Sequence, residues 1–181
     1  IILSIFPELK YYERLNKIND LNSKLKDKYD NHLILALLVI DQSNDYEYFC
    51  DKYKTSNSIK NRLKNISINF ESLKSREFFS EENTKKLIYL SSKDEVRNLL
   101  LFSICVNDKI KASNVGKLLD YVDSCEVPKF PISGDYLKKH GYETGKELGK
   151  KLKSLETKWI ANNFVLDEEI LKKSLNKINQ D

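Results

Sequence analysis

The sequence predicts an all-α protein: a compact multi-helix body followed by a small helical tail module. Three observations predict it. Apolar residues recur at helical spacing along nearly the whole chain, and no stretch alternates for long as a half-buried strand does. Helix-capping residues stand at the starts of the periodic runs. Only three prolines and five glycines interrupt 181 residues, and four of those glycines fall within residues 134–149. At this length and 40% apolar content the chain buries one substantial core with at most a small appended module.

The elements follow in order. Pro7 sits where a helix can begin, and Leu9, Tyr12, Leu15 and Ile18 mark one face of a first helix to about Lys26. After Asp30 and Asn31, the run LILALLVI from Leu33 to Ile40 reads as a buried core helix. It is far shorter than the ~20 apolar residues needed to span a bilayer. Tyr46, Phe49, Cys50 and Tyr53 fall at i, i+3, i+4 and i+7 of a third helix. Ser56 or Ser58 caps a fourth, with Ile59, Leu63 and Ile66 inward. Ser80 caps a fifth, with Leu87, Ile88 and Leu90 inward. Ser92 to Glu95 forms a capping box for a sixth, whose stripe is Val96, Leu99, Leu100, Ser103 and Val106. Val115, Leu118, Leu119 and Val122 give the seventh its buried side.

Pro128 and Pro131 then force an extended linker, because a residue that precedes proline is pushed out of the α region. The expected boundary puts the body at residues 1–126 and the tail, a glycine-rich turn with a helical hairpin, at 127–181. Within the tail, Thr144 to Glu147 matches a second capping box, and Leu148, Leu152, Leu155 and Trp159 make one stripe. Gly141 and Gly145 are placed to supply positive φ, and Gly149 to let another backbone approach closely. Asp167 reads as the N-cap of a last helix carrying Ile170, Leu171, Leu175 and Ile178.

Composition narrows the function classes. Thirty-one basic against 27 acidic residues leave a net charge of +4, which favours a polyanion without requiring one. Cys50, Cys105 and Cys125 are odd in number and widely spaced, which argues against a disulfide scaffold or zinc site and fits a reducing cytosol. The chain contains no methionine, position 1 included, and opens in mid-pattern, which points to numbering that starts inside a longer coding sequence or at a trimmed start.

A catalytic constellation is missing from the sequence. Neither His32 nor His140 is followed by Asp, no Asp-x-Asp pair stands ready to bridge two magnesium ions, and Cys105 lies within an apolar stripe. Asp167, Glu168 and Glu169 read as a charged first helical turn rather than a metal site. What remains is a lysine-rich loop and helix start. Lys146, Lys150 and Lys153 lie on the helix face away from the apolar stripe, and an exposed helix N-terminus suits phosphate. Two readings stay open for this stretch: phosphate contact, or a packed helical hairpin with a solvated lysine face.

The segment FPISGDYLKKHGYETGKELGKKLKSLETKWIANNFVLDEE, residues 130–169, resembles the tail of bacterial CCA-adding tRNA nucleotidyltransferases and the related poly(A) polymerases. Pro131, Ile132, Gly134, Gly141, Gly145, Gly149, Leu152, Trp159, Ile160 and Phe164 match that pattern in order and spacing. Upstream, IFPELKYYERL, LILALLVI and KTSNSIKNRLKNI resemble the family's body more loosely. The sequence departs at Tyr136, where the family has aspartate and this chain has Asp135 one place early. It departs again at Thr144 and Lys146, where prolines are usual. The Gly-Ser and paired aspartates of the family's catalytic head, and its E-D-x-x-R neck motif, do not occur in the sequence.

The resemblance implies a tRNA-holding body and tail of a cytoplasmic enzyme that adds C, C and A to tRNA ends. Magnesium and catalysis would belong to a head domain supplied upstream or as a separate chain, with no cofactor in this one and no membrane partner. It points to Lys138, Lys139, His140, Lys146, Lys150, Lys151 and Lys153 as phosphate contacts, with Gly134, Gly141, Gly145, Gly149 and Trp159 as the structural frame. The alternatives are the corresponding part of a poly(A) polymerase and a helical protein-interaction module.

Overall fold

The computed structural model describes residues 6–166. The fold is all-α, with ten α-helices and no strand among the described residues. The chain divides into two compact units, Ile1–Cys125 and Glu126–Asp181.

The first unit contains α1 (Arg14–Asn19), α2 (Ser23–Lys26), α3 (Asn31–Val39), α4 (Asp45–Lys52), α5 (Asn57–Asn69), α6 (Glu81–Leu90), α7 (Lys93–Val106) and α8 (Ala112–Ser124). Two 3-10 segments, Ser72–Lys74 and Arg76–Phe79, join α5 to α6. Side-chain caps start most of the helices. Asp30 accepts from the Leu33 N–H at 2.8 Å, Ser80 from Asn83 at 3.1 Å and Ser92 from Glu95 at 3.2 Å. Of the two candidates for α5, Ser56 is the cap and accepts from Ile59.

The core is organised around α7. Every residue from Leu99 to Cys105 is buried, which a helix achieves only when neighbours enclose it. Helices α1, α3, α5, α6 and α8 supply that enclosure. Two polar groups at α7 are satisfied inside: the Ser103 hydroxyl donates to the Leu100 carbonyl at 2.6 Å and the Tyr29 hydroxyl to the Leu101 carbonyl at 2.7 Å. Burial raises the Tyr29 hydroxyl and the Cys105 thiol above their ordinary pKa values, so both stay neutral. All three cysteines are buried free thiols.

Two expectations are corrected. The single first helix to Lys26 is instead a turn at Pro7 and Glu8 followed by the short helices α1 and α2, and Tyr12 is 60% exposed. Asn22 starts α2 by accepting from the Leu25 N–H, and that cap interrupts the run. Upstream of Arg14, tertiary partners outcompete a local helix. Glu8 is buried, accepts from Lys52 at 2.8 Å and from the Tyr53 hydroxyl at 3.1 Å, and its pKa is held below the usual carboxylate value chiefly by Lys52. Arg14 donates to the carbonyls of Leu37 and Ile40, placing a cation at the end of α3 where the helix leaves acceptors unpaired. The second correction is Leu90, which is 66% exposed at the last residue of α6, while Ile88 alone of the three expected residues is fully buried.

Candidate nucleic-acid interface

The second unit is built on a small core. Ile132, Leu137 and Leu155 are buried, with Phe130, Tyr136, Tyr142, Leu148 and Leu152 packed against them. Trp159 is buried as well, its ring 5.3 Å from Phe130 and 5.0 Å from Phe164. After the extended proline segment, Ser133 caps α9 (Gly134–Lys139) by accepting from the Tyr136 N–H.

Gly141 closes α9. Its φ is +88°, the Tyr142 N–H reaches the Leu137 carbonyl at 3.2 Å, and the Gly141 N–H reaches Lys138 at 3.1 Å. Those two bonds define a Schellman ending, and the Leu137 and Tyr142 side chains share the core beneath it. The same device ends α10 (Lys146–Ala161). Asn163 takes φ of 55°, the Phe164 N–H reaches the Trp159 carbonyl at 2.9 Å, and the two rings meet edge to face. Sequence reasoning missed this second ending, although an Asn-Asn-Phe step after an amphipathic run is a signal for it.

Two of the expected roles change. Helix α10 is entered through Gly145, at φ +149°, not through a Thr144 capping box, and no side chain caps its first turn. Gly145 takes a conformation that L side chains rarely adopt and carries no acceptor, so Thr144 falls outside the cap position. Gly149 is exposed, and a Cβ added there would meet nothing within 4 Å. The glycine against the α10 leucines is Gly134, where an added Cβ would sit 3.5 Å from Leu148 and 4.0 Å from Leu152.

The seven candidate contacts fall into three groups. Lys146, Lys150 and Lys153 are exposed and lie within one narrow sector of α10, opposite its buried stripe. Lys151 lies on a flank, its ammonium 5.7 Å from the centre of the Tyr142 ring. Lys138, Lys139 and His140 cluster at the end of α9. Among the described residues Lys139, Lys146 and Lys153 make no ion pair. Lys138 pairs with Asp135 at 3.1 Å and Lys150 with Glu147 at 2.7 Å. Both are exposed pairs of neighbouring turns, so a phosphate displaces the carboxylate at little cost. His140 is set by geometry: its Nδ1 lies 2.8 Å from the Tyr136 carbonyl oxygen, which can only accept. The proton therefore sits on Nδ1 and leaves Nε2 facing outward.

Residues 126–166 hold eight lysines and five carboxylates. Among the described residues no group of His, Cys, Asp and Glu is arranged to hold a metal ion, and no helix is long and apolar enough to cross a membrane. The expected N-cap Asp167, its neighbours Glu168 and Glu169 and the helix after them lie outside the described residues. The described part of the unit thus offers exposed cations along one face of α10 and at the end of α9.

No family model matches the chain. Over 72 residues it is 33% identical to the CCA tRNA nucleotidyltransferase 1, mitochondrial, of Danio rerio, a match that takes in 40% of this chain and spans 17% of that relative's length.

Proposed function

We propose that this chain is the tRNA-holding portion of a CCA-adding tRNA nucleotidyltransferase, with the unit to Cys125 as body and the unit from Glu126 as tail. The observation that carries the reading is the 72-residue similarity to an enzyme of that name. The exposed lysine sector of α10 supports it, because it supplies what a tail that holds RNA needs. Lys146, Lys150 and Lys153, with Lys138, Lys139, His140 and Lys151 around them, would bind phosphates. Phosphate contacts fix the register and orientation of an RNA without reading its bases, so any folded tRNA is accepted. The chemistry of nucleotide addition, and the magnesium it uses, belongs in this reading to a separate head, in the same polypeptide or another. The alternative is the corresponding part of a poly(A) polymerase, and the named similarity favours CCA addition.

The reading predicts a chain that binds tRNA and leaves it unchanged. Incubated with tRNA, CTP, ATP and magnesium, the 181-residue chain is expected to retard the tRNA in a native gel and to add no nucleotide. Extension of the tRNA would overturn the division of labour, and absence of retardation at low salt would overturn the tRNA-holding role.

A further inference from the structure

The first unit carries a second concentration of positive charge. A groove of about 600 Å³ opens between the second 3-10 segment, the loop after α7 and the start of α8. Arg76, Lys109, Lys111 and Lys117 line it, and Glu81 is the one carboxylate that does. Among the described residues none of these four cations forms an ion pair or a side-chain hydrogen bond. Elsewhere in the unit lysines and arginines are commonly paired, as Lys10 is with Asp45, Lys60 with Asp51 and Arg97 with Asp123. Four exposed like charges around one concavity repel one another and lower the cost of admitting an anion.

The surrounding structure keeps the charges there. Asp108, the carboxylate next to Lys109, is engaged by Lys17 of α1. Asn107 anchors the loop by donating to the Leu73 carbonyl at 2.9 Å and accepting from the Lys109 N–H at 3.0 Å. Helix α8 then begins with no acidic residue in its first turn and no side-chain cap, so its positive end adds to the same field. The groove also has apolar walls in Phe79, half-buried, and Ile110. Cations and an aromatic side chain lining one groove suit a phosphate ester, with the phosphate on the lysines and the sugar or base on the apolar wall.

We infer that this groove is a phosphate-ester site on the helical body, separate from the lysine sector of α10. The inference does not depend on tRNA being the ligand of the second unit. The phosphate has two possible sources, an RNA strand or a free polyphosphate, and one experiment distinguishes them. The full chain and its K109A/K111A/K117A variant are titrated with a short single-stranded RNA and with inorganic triphosphate, followed by amide NMR shifts and by affinity. A second variant, K26A/K54A/K64A, removes the same charge from exposed positions that do not line the groove.

The groove variant is expected to lose about tenfold or more in RNA affinity, and to lower the salt slope by about two, at roughly 0.7 per phosphate contact on a single strand. The control should lose far less, and K109R/K111R/K117R should retain binding. Shifts at Ile110 and Asn114 with RNA alone identify a strand, and shifts with triphosphate as well identify a site for the phosphate group itself. Equal losses in the groove and control variants, or shifts of Ile110 and Asn114 with neither probe, would overturn the proposal.

Discussion

Trp159→Ala is expected to unfold the second unit while the first stays folded. The ring packs against Phe130 and Phe164, in a unit whose other buried apolar side chains are only Ile132, Leu137 and Leu155 among the described residues. Truncating a buried Trp to Ala costs about 3–5 kcal/mol. A unit of this size has a total stability of roughly 3–8 kcal/mol, so the loss is comparable to all it has. The change also removes the contact that holds Phe164 at its positive φ and so undoes the closing turn of α10. Amide hydrogen exchange checks it. Protection should vanish across α9 and α10 and persist through α7, whose core is lined by residues of the first unit. Trp159→Phe should restore most of the protection. Unchanged exchange in α9 and α10 of the alanine variant would show that the ring is not what holds the unit together.

The second large effect is on RNA binding. K146A/K150A/K153A removes the three cations of the α10 sector without touching a buried side chain, so the fold should be unaffected. Each phosphate contact contributes roughly 0.7 to 0.9 to the slope of log affinity against log salt. Loss of three lysines should therefore flatten that slope by about two to three and weaken tRNA binding by about tenfold or more near 0.1 M salt. K146R/K150R/K153R keeps the charges and should bind as the parent does. Removal of Lys150 also leaves Glu147 facing the RNA alone, which adds repulsion. An unaltered affinity and slope would show that this sector is a solvated face and no more.

The helix starts were legible where the cap is local. Ser56, Ser80 and Ser92 each accept from an N–H three residues on, a relation the sequence displays directly. The α7 stripe was equally plain, although the sequence pattern does not show that Leu101 and Ile104 are buried too, since that depends on how many neighbours enclose the helix. The start of the chain was misread for a related reason. Arg14 and Glu8 serve the end of α3 and the side chains of α4, and partners more than twenty residues distant leave no mark on local periodicity.

The candidate interface was half legible. Gly141 and Gly145 take positive φ as their place beside a helix end suggests, and Trp159 is buried as its spacing requires. Gly149 was assigned a packing role because glycine permits close approach, yet it is exposed on α10, and Gly134 meets the leucines instead. The grouping of lysines was legible only along α10, where helical spacing decides which of them share a face. The pairing of Lys138 with Asp135 and the seating of His140 on the Tyr136 carbonyl emerge only once α9 is in place.

The central claim is that this chain holds tRNA by its shape through phosphate contacts. Its most direct test is the affinity of the 181-residue chain for tRNA lacking its 3′ end, set against an unstructured RNA of equal length at two salt concentrations. The account predicts tighter binding to the folded tRNA, weakened as salt rises. Equal affinity for the two RNAs, or binding to neither, would contradict it.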